Sequence, residues 1–138
     1  MIEISTDQHR IDVNYVHQYL STQSYWAQEI PIELVRKSIE HSLCFAVFKE
    51  NKQIGFARMV TDQATFCYLC DVFIDEQERG NGYAKLLMEA IMKHKELQGL
   101  RRYMLATKDA HTLYEPFGFK ALQQPDRIME IKVTNPYE

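Results

Sequence analysis

Two rhythms of apolar and polar positions run along the chain. Met1 to Ser5 alternates apolar with polar, as a half-buried strand does. From Asp12 to Leu20 the spacing changes. Val13, Val16, Tyr19 and Leu20 make a helical stripe. Ser21 to Ile30 breaks that period. Pro31 suits the first turn of a second helix, whose stripe is Leu34, Val35 and Ile39 and which ends near Ser42. Three β-prone runs follow: Leu43 to Lys49, Gln53 to Thr61, and Thr65 to Ile74. The polar turns Glu50-Asn51-Lys52 and Asp62-Gln63-Ala64 separate them, which predicts an antiparallel meander.

After Ile74 the helical period returns. Ala84, Leu87, Met88 and Ile91 share a stripe, and the helix is expected to reach about Gln98, with Gly99 as its stop. Arg101 to Ala106 reads as a strand, and the long helix before it implies a parallel crossover. A short helix from Asp109, taken as its N-cap, to Glu115 comes next. Phe119 to Leu122 and Arg127 to Val133 read as a closing strand pair around the Pro125-Asp126 turn. This order predicts one α+β domain over residues 1–138, with no repeats or linkers.

Bulk properties narrow the function classes. A net charge of -3 disfavours broad nucleic-acid or anionic-membrane binding, although Lys93, Lys95, Arg101 and Arg102 cluster locally. No charged leader precedes an apolar run, and no apolar run reaches the roughly 20 residues of a membrane span, so a cytoplasmic protein is expected. The 3 cysteines do not suggest a disulfide framework. Cys67 and Cys70 have CxxC spacing, but on a strand they point to opposite faces and lack a second ligand pair. They read as buried thiols, and no metal is expected.

The stretch Val72 to Ala84 carries the strongest chemical signal. An apolar strand ends at Ile74, an acidic turn follows, and Arg79-Gly80-Asn81-Gly82 opens a helix. Glycines permit close approach, and first-turn N–H groups lack intrahelical partners. With the helix dipole, this makes a phosphate cradle. The Gly-Lys-Ser/Thr of a nucleotide P-loop is missing, which argues against ATP as ligand. Lys85 stands where a dinucleotide fingerprint wants its third small residue.

Arg79-x-x-Gly82-x-Ala84 resembles the acyl-CoA pyrophosphate loop of the GNAT superfamily of N-acetyltransferases. Leu113-Tyr114-Glu115-Pro116-Phe117-Gly118-Phe119 resembles a second motif of that family, Leu-Tyr-x-x-x-Gly-Phe. The order of elements is similar over nearly the whole chain. The resemblance implies the GNAT fold: a mixed central sheet, an antiparallel meander followed by a parallel crossover strand, with helices on both faces. It also implies acetyl-CoA as cosubstrate and transfer to a primary amine of a small molecule or peptide, by direct attack in a ternary complex.

Residue by residue, it implies cofactor contacts from Val72, Phe73, Ile74, Arg79, Gly80, Asn81, Gly82, Tyr83 and Ala84. Thr107 stands where many relatives have Asn, which puts that cofactor contact in question. Tyr114 is the candidate general acid, since a phenol titrates near 10 and a thiol near 8.5. Asp71, an acid in an otherwise apolar strand, is the candidate base, or else a structural carboxylate. Glu29 and His111 are weaker candidates for that role. Tyr25, Trp26 and Glu29 are candidate acceptor-binding residues, with Trp26 as a plain core plug the alternative. Arg58 and Asp62 either reach that pocket or pair on a surface. A non-catalytic acyl-CoA-binding module is the competing function. A homodimer is left open.

Overall fold

The computed structural model describes residues 1–138. Five strands form one sheet in the order β1 (Ile2–Ser5), β2 (Leu43–Lys49), β3 (Lys52–Thr61), β4 (Phe66–Ile74) and β5 (Arg102–Leu105). The first four are antiparallel neighbours, and β4 pairs with β5 in parallel. The crossover between those two carries α3 (Tyr83–Lys93). Helices α1 (Val13–Thr22) and α2 (Ile32–Glu40) connect β1 to β2, and α4 (His111–Tyr114) follows β5. The expected α+β architecture, with a mixed sheet, is therefore present.

Period-2 alternation gives the sheet two apolar faces, and each is covered. Phe45, Val47, Ala57, Met59, Cys67 and Leu69 point toward α3, where Leu87, Met88 and Ile91 meet them. Cys44, Ala46, Phe48, Phe56 and Phe73 point the other way, against Val16, Tyr19, Leu20, Val35 and Ile39 of α1 and α2. Cys67 thus belongs to the α3 face, while Cys70 shares its surroundings with Arg58 on the other. Burial pushes the Cys70 thiol up to about 12 and that of Cys67 up to about 11.

Local chemistry sets several boundaries. Asp12 caps α1 by accepting from the Tyr15 N–H at 3.1 Å. Pro31 is the N-cap of α2 rather than a residue of its first turn. Helix α3 is shorter than the expected run to Gln98. It stops at Lys93, where His94 turns extended and its ring accepts from the Glu96 N–H to start a separate 3-10 turn, Lys95–Leu97. Leu97 is buried although it lies off the α3 stripe, so the break places it in the core. The N-cap of α4 is Ala110, which makes no side-chain cap bond; the Thr107 hydroxyl closes the turn before it by accepting from the Ala110 N–H at 3.0 Å. Asp109 does not cap it.

The closing strand pair is a correction. Pro125–Arg127 is a 3-10 turn, but neither Phe119 to Leu122 nor Arg127 to Val133 is a strand. A strand needs a ladder, and the only main-chain bonds in these stretches are turn bonds, from the Arg127 N–H to Gln124 O and from the Ile128 N–H to Pro125 O.

One glycine is fixed by packing. A Cβ on Gly55 would lie 2.7 Å from Ile74 Cδ1 and 3.0 Å from the Phe73 carbonyl oxygen. Gly55→Val is therefore expected to cost about 1–3 kcal/mol and to lower Tm by roughly 5–10 °C, read by calorimetry.

Candidate active site

The site begins where β4 and β5 part. Their pairing runs from Phe66 opposite Arg102 to Leu69 opposite Leu105 and stops there. Strand β4 continues to Ile74 without β5 beside it. Just past the last pair, the β3–β4 register slips between Phe56 and Arg58, and Asp71 takes a left-handed φ of 54°. This is a β-bulge, in which one extra residue re-aims the chain. Leu69 and Val72 stay on the α3 face, while Cys70 and Asp71 share the opposite one. Strict alternation would have put the Asp71 carboxylate among the α3-side apolar residues. The bulge turns it away.

Asp71 is then held from two sides. Arg58 Nε donates to Oδ2 at 2.8 Å and Trp26 Nε1 donates to Oδ1 at 2.7 Å. Arg58 also donates to the Ser42 hydroxyl at 3.1 Å. Each carboxylate oxygen keeps a second lone pair. Trp26 is 42% exposed, so it is no core plug. It packs edge-to-face on Tyr25 at 5.0 Å. Tyr25 in turn accepts from the Lys108 N–H at 3.0 Å. The loop between α1 and α2 thereby bridges the gap between the β4 bulge and the chain leaving β5. Buried Ala27 and Ile30 pin that loop, and the Ser24 hydroxyl ties Leu20 O to the Ala27 N–H. Glu29 is exposed at φ 67° and makes no side-chain bond, so it does not join this group. Asp62 is also elsewhere. It closes the β3–β4 turn by accepting from the N–H groups of Ala64, Thr65 and Phe66.

At the end of β4 the glycine turn leads into α3. Gly80 and Gly82 have φ values of 84° and 80°, and a Cβ on either would meet no protein atom within 4 Å. Glycine is required by the backbone angle, not by crowding. The N–H groups of Gly80, Asn81, Gly82, Tyr83, Ala84 and Lys85 donate to no protein acceptor. The first bond of the helix is Leu86 N–H to Gly82 O. A run of unpaired donors at a helix start is what an oxyanion or diphosphate requires. The Arg79 side chain does not join them. It folds back, donating to Ile74 O at 3.1 Å and to the Tyr19 hydroxyl at 2.9 Å. Tyr19 stacks on Phe73, with ring centroids 3.8 Å apart.

Tyr114 ends α4 and packs into the α3-side core. Its hydroxyl has no hydrogen-bond partner, yet no buried polar side-chain atom in the protein lacks one. The oxygen therefore reaches open space. Burial, with smaller contributions from Tyr25 and Asp109, pushes this phenol up to about 12. Tyr25 thus lies near both Tyr114 and the Asp71 group. His111 is exposed at the start of α4 and makes no side-chain bond. Sequence reasoning missed the Arg58–Asp71–Trp26 group as a unit. The odd charge of Asp71 in an apolar strand was its signal.

Comparison with known proteins bears on the fold and the family. The profile of the acetyltransferase (GNAT) family matches residues 9–119. A crystal structure from Xanthomonas campestris pv. campestris, of a protein described as belonging to the GNAT family, is 47% identical. It superposes with a TM-score of 0.97 over 99% of this chain and 96% of that one. A provisionally assigned acetyltransferase of Gibberella zeae is 27% identical over 95% of this chain and 86% of its own. A Clostridium acetobutylicum structure with acetyl-CoA shares the fold, at a TM-score of 0.71, 15% identity and 96% coverage of both chains. With two motifs in place and a profile spanning most of its length, the chain belongs to the acetyltransferase (GNAT) family.

Proposed function

We propose that this protein moves an acetyl group from acetyl-CoA to a primary amine of a small molecule or peptide, by direct attack in a ternary complex. The observation that carries the reading is the run of unpaired N–H donors from Gly80 to Lys85 at the end of a strand whose neighbour has parted from it. These donors bind the diphosphate. The unpaired β4 edge, at Val72 and Ile74, receives the amides of the pantetheine arm. Thr107 offers that arm a hydroxyl proton, because its oxygen already accepts from Ala110.

The chemistry then follows from the groups beside the parted strands. A neutral amine attacks the thioester carbonyl, a C–N bond forms, and charge develops on oxygen. A main-chain N–H near Val72 or Phe73 takes that charge. The C–S bond breaks, and the Tyr114 hydroxyl gives its proton to the departing sulfur. The proton lost by the amine passes to Asp71, directly or through water. Tyr25 and Trp26 wall the acceptor side, where aromatic faces suit a cationic amine. An acetyl-transfer assay over a panel of amines tests the reading. Binding of acetyl-CoA without transfer to any amine would favour the acyl-CoA-binding module instead.

Gly82→Val forces a β-branched residue into a left-handed angle and points its side chain into the cradle. Acetyl-CoA affinity by calorimetry should fall at least tenfold, with the fold retained by circular dichroism. Unchanged affinity would remove the cradle.

Tyr114→Phe should lower kcat by about 10²-fold or more while KM for acetyl-CoA stays within about threefold. The raised phenol stays protonated through neutral and mildly alkaline pH, because its pKa is about 12. The ratio of wild-type to variant kcat should therefore be flat from about pH 7 to 10.

For the Asp71 pair, Arg58→Met and Asp71→Asn should each cost about 3 kcal/mol by denaturant titration, since each strands a largely buried polar partner. Only Asp71→Asn should also lower the turnover of the folded fraction, by about 10²-fold. Equal turnover losses would leave Asp71 a structural carboxylate.

A further inference from the structure

The Arg58 guanidinium is only partly used by its own chain. Its Nε–H goes to Asp71 at 2.8 Å, and Nη1 donates to the Ser42 hydroxyl at 3.1 Å. Nη2 donates to no protein atom. No buried polar side-chain atom lacks a partner, so Nη2 reaches open space. Asp71 is the one carboxylate paired with this arginine. Tyr68 stands on the same face of β4 as Cys70. Burial, then Cys70 and Asp71, push its phenol up, and Arg58 draws it down. The Tyr68 hydroxyl has no protein partner and is open for the same reason as Nη2. The Ser42 hydroxyl accepts from Arg58 and keeps its own proton to donate. Glu130 acts weakly on Tyr68 but enters no ion pair.

These open donors stand beside a carboxylate that also has room. Each Asp71 oxygen keeps a lone pair beyond its bond to Arg58 or Trp26. An ion pair open at both ends is complementary to a molecule that carries the opposite pair. The two charges of that molecule must lie as close together as Arg58 and Asp71, whose nearest atoms are 2.8 Å apart. An α-amino acid meets this condition, because one carbon separates its nitrogen from its carboxylate. A phosphate does not, since its second charge would face Asp71 with nothing to offset it. A second cation flanks the same wall. The Lys108 ammonium lies 5.4 Å from the Tyr25 ring centroid and is in no ion pair.

We infer that the acceptor is a free α-amino acid, its carboxylate held by Arg58 Nη2 with the Tyr68 and Ser42 hydroxyls and its nitrogen set against Asp71. This rests on the acetyl-transfer reading above and narrows the acceptor of that reaction. The α-ammonium loses one proton to solvent by way of Asp71. The neutral nitrogen then attacks, the C–N bond forms and the C–S bond breaks. The second proton leaves nitrogen for Asp71 while Tyr114 gives its own to sulfur. Solvent returns the proton on Asp71 to Tyr114, and the products are an N-acetyl amino acid and coenzyme A.

Steady-state kinetics with acetyl-CoA and matched acceptors test this. Each amino acid of a panel is compared with its α-amide and with the amine left by decarboxylation. The amide has the less basic nitrogen, so intrinsic reactivity at neutral pH favours it over the acid. The best amino acid should nevertheless exceed both analogues in kcat/KM by about tenfold or more, with the difference in KM. Arg58→Met should abolish that preference in the folded fraction by raising KM for the amino acid, with kcat within about threefold. Arg58→Lys keeps a cation beside Asp71 but loses the planar fork, and should reduce the preference by about threefold or more. Equal or better use of amides or plain amines by the wild-type protein overturns the assignment and leaves acetyl transfer standing. A preference for amino acids that survives both Arg58 variants overturns it as well. Transfer to no amine of any kind, with acetyl-CoA bound, overturns both readings.

Discussion

Strands β4 and β5 cannot part without leaving main-chain polar groups to be satisfied by something else. That constraint governs the rest of the structure. Beyond the Leu69–Leu105 pair, β4 has an open edge for as long as it continues. An unpaired strand edge inside a fold is costly or functional. Here the bulge at Asp71 sits at the divergence, the donor run of the glycine turn sits at the far end, and Tyr114 enters from the side. Tyr25 and Trp26 bridge the gap from the loop between α1 and α2.

The two apolar cores explain why this geometry holds. Each face of the sheet is clamped by helices whose stripes are continuous, so the strands cannot drift back together. Phe73 lies under α1, stacked on Tyr19, while its neighbours Val72 and Ile74 face α3. The end of β4 is thus gripped from both sides at the point where its outer edge is open. The left-handed angle at Asp71 persists because Arg58 and Trp26 hold its carboxylate and the β3 ladder resumes on both sides of it. Backbone strain of this kind survives when its surroundings over-determine it.

What could be read from sequence follows the range of the interactions involved. The strands β2 to β4, the two N-terminal helices and the glycine turn depend on near neighbours and on period, and they lie within a residue or two of expectation. The GNAT family assignment rests on such local signals. The bulge does not. Its register slip depends on pairing between β3 and β4, and a strict period-2 reading of Phe66 to Ile74 passes over it. The break in α3 at His94 depends on placing Leu97 in the core. The 119–133 region shows the limit most plainly. Its residues are strand formers by composition, yet a strand needs a ladder and no partner strand lies beside them. The grouping of Trp26, Arg58 and Asp71 joins three segments far apart in sequence, and only the fold brings them together.

The inward turn of Arg79 bears on how little of the glycine turn's outer surface is written in side chains. Its guanidinium fastens the loop to the carbonyl of Ile74 and to a hydroxyl on α1, and leaves the unpaired N–H groups from Gly80 to Lys85 clear of its charge. Every residue type except proline carries such a hydrogen. The side chains of Asn81 and Tyr83 serve the protein itself: the Asn81 amide donates to the Glu78 carbonyl at 3.0 Å, and Tyr83 packs against the α3-side core. A sparse signature of one arginine, one glycine and one alanine is the trace expected of a grip made from atoms common to all residues.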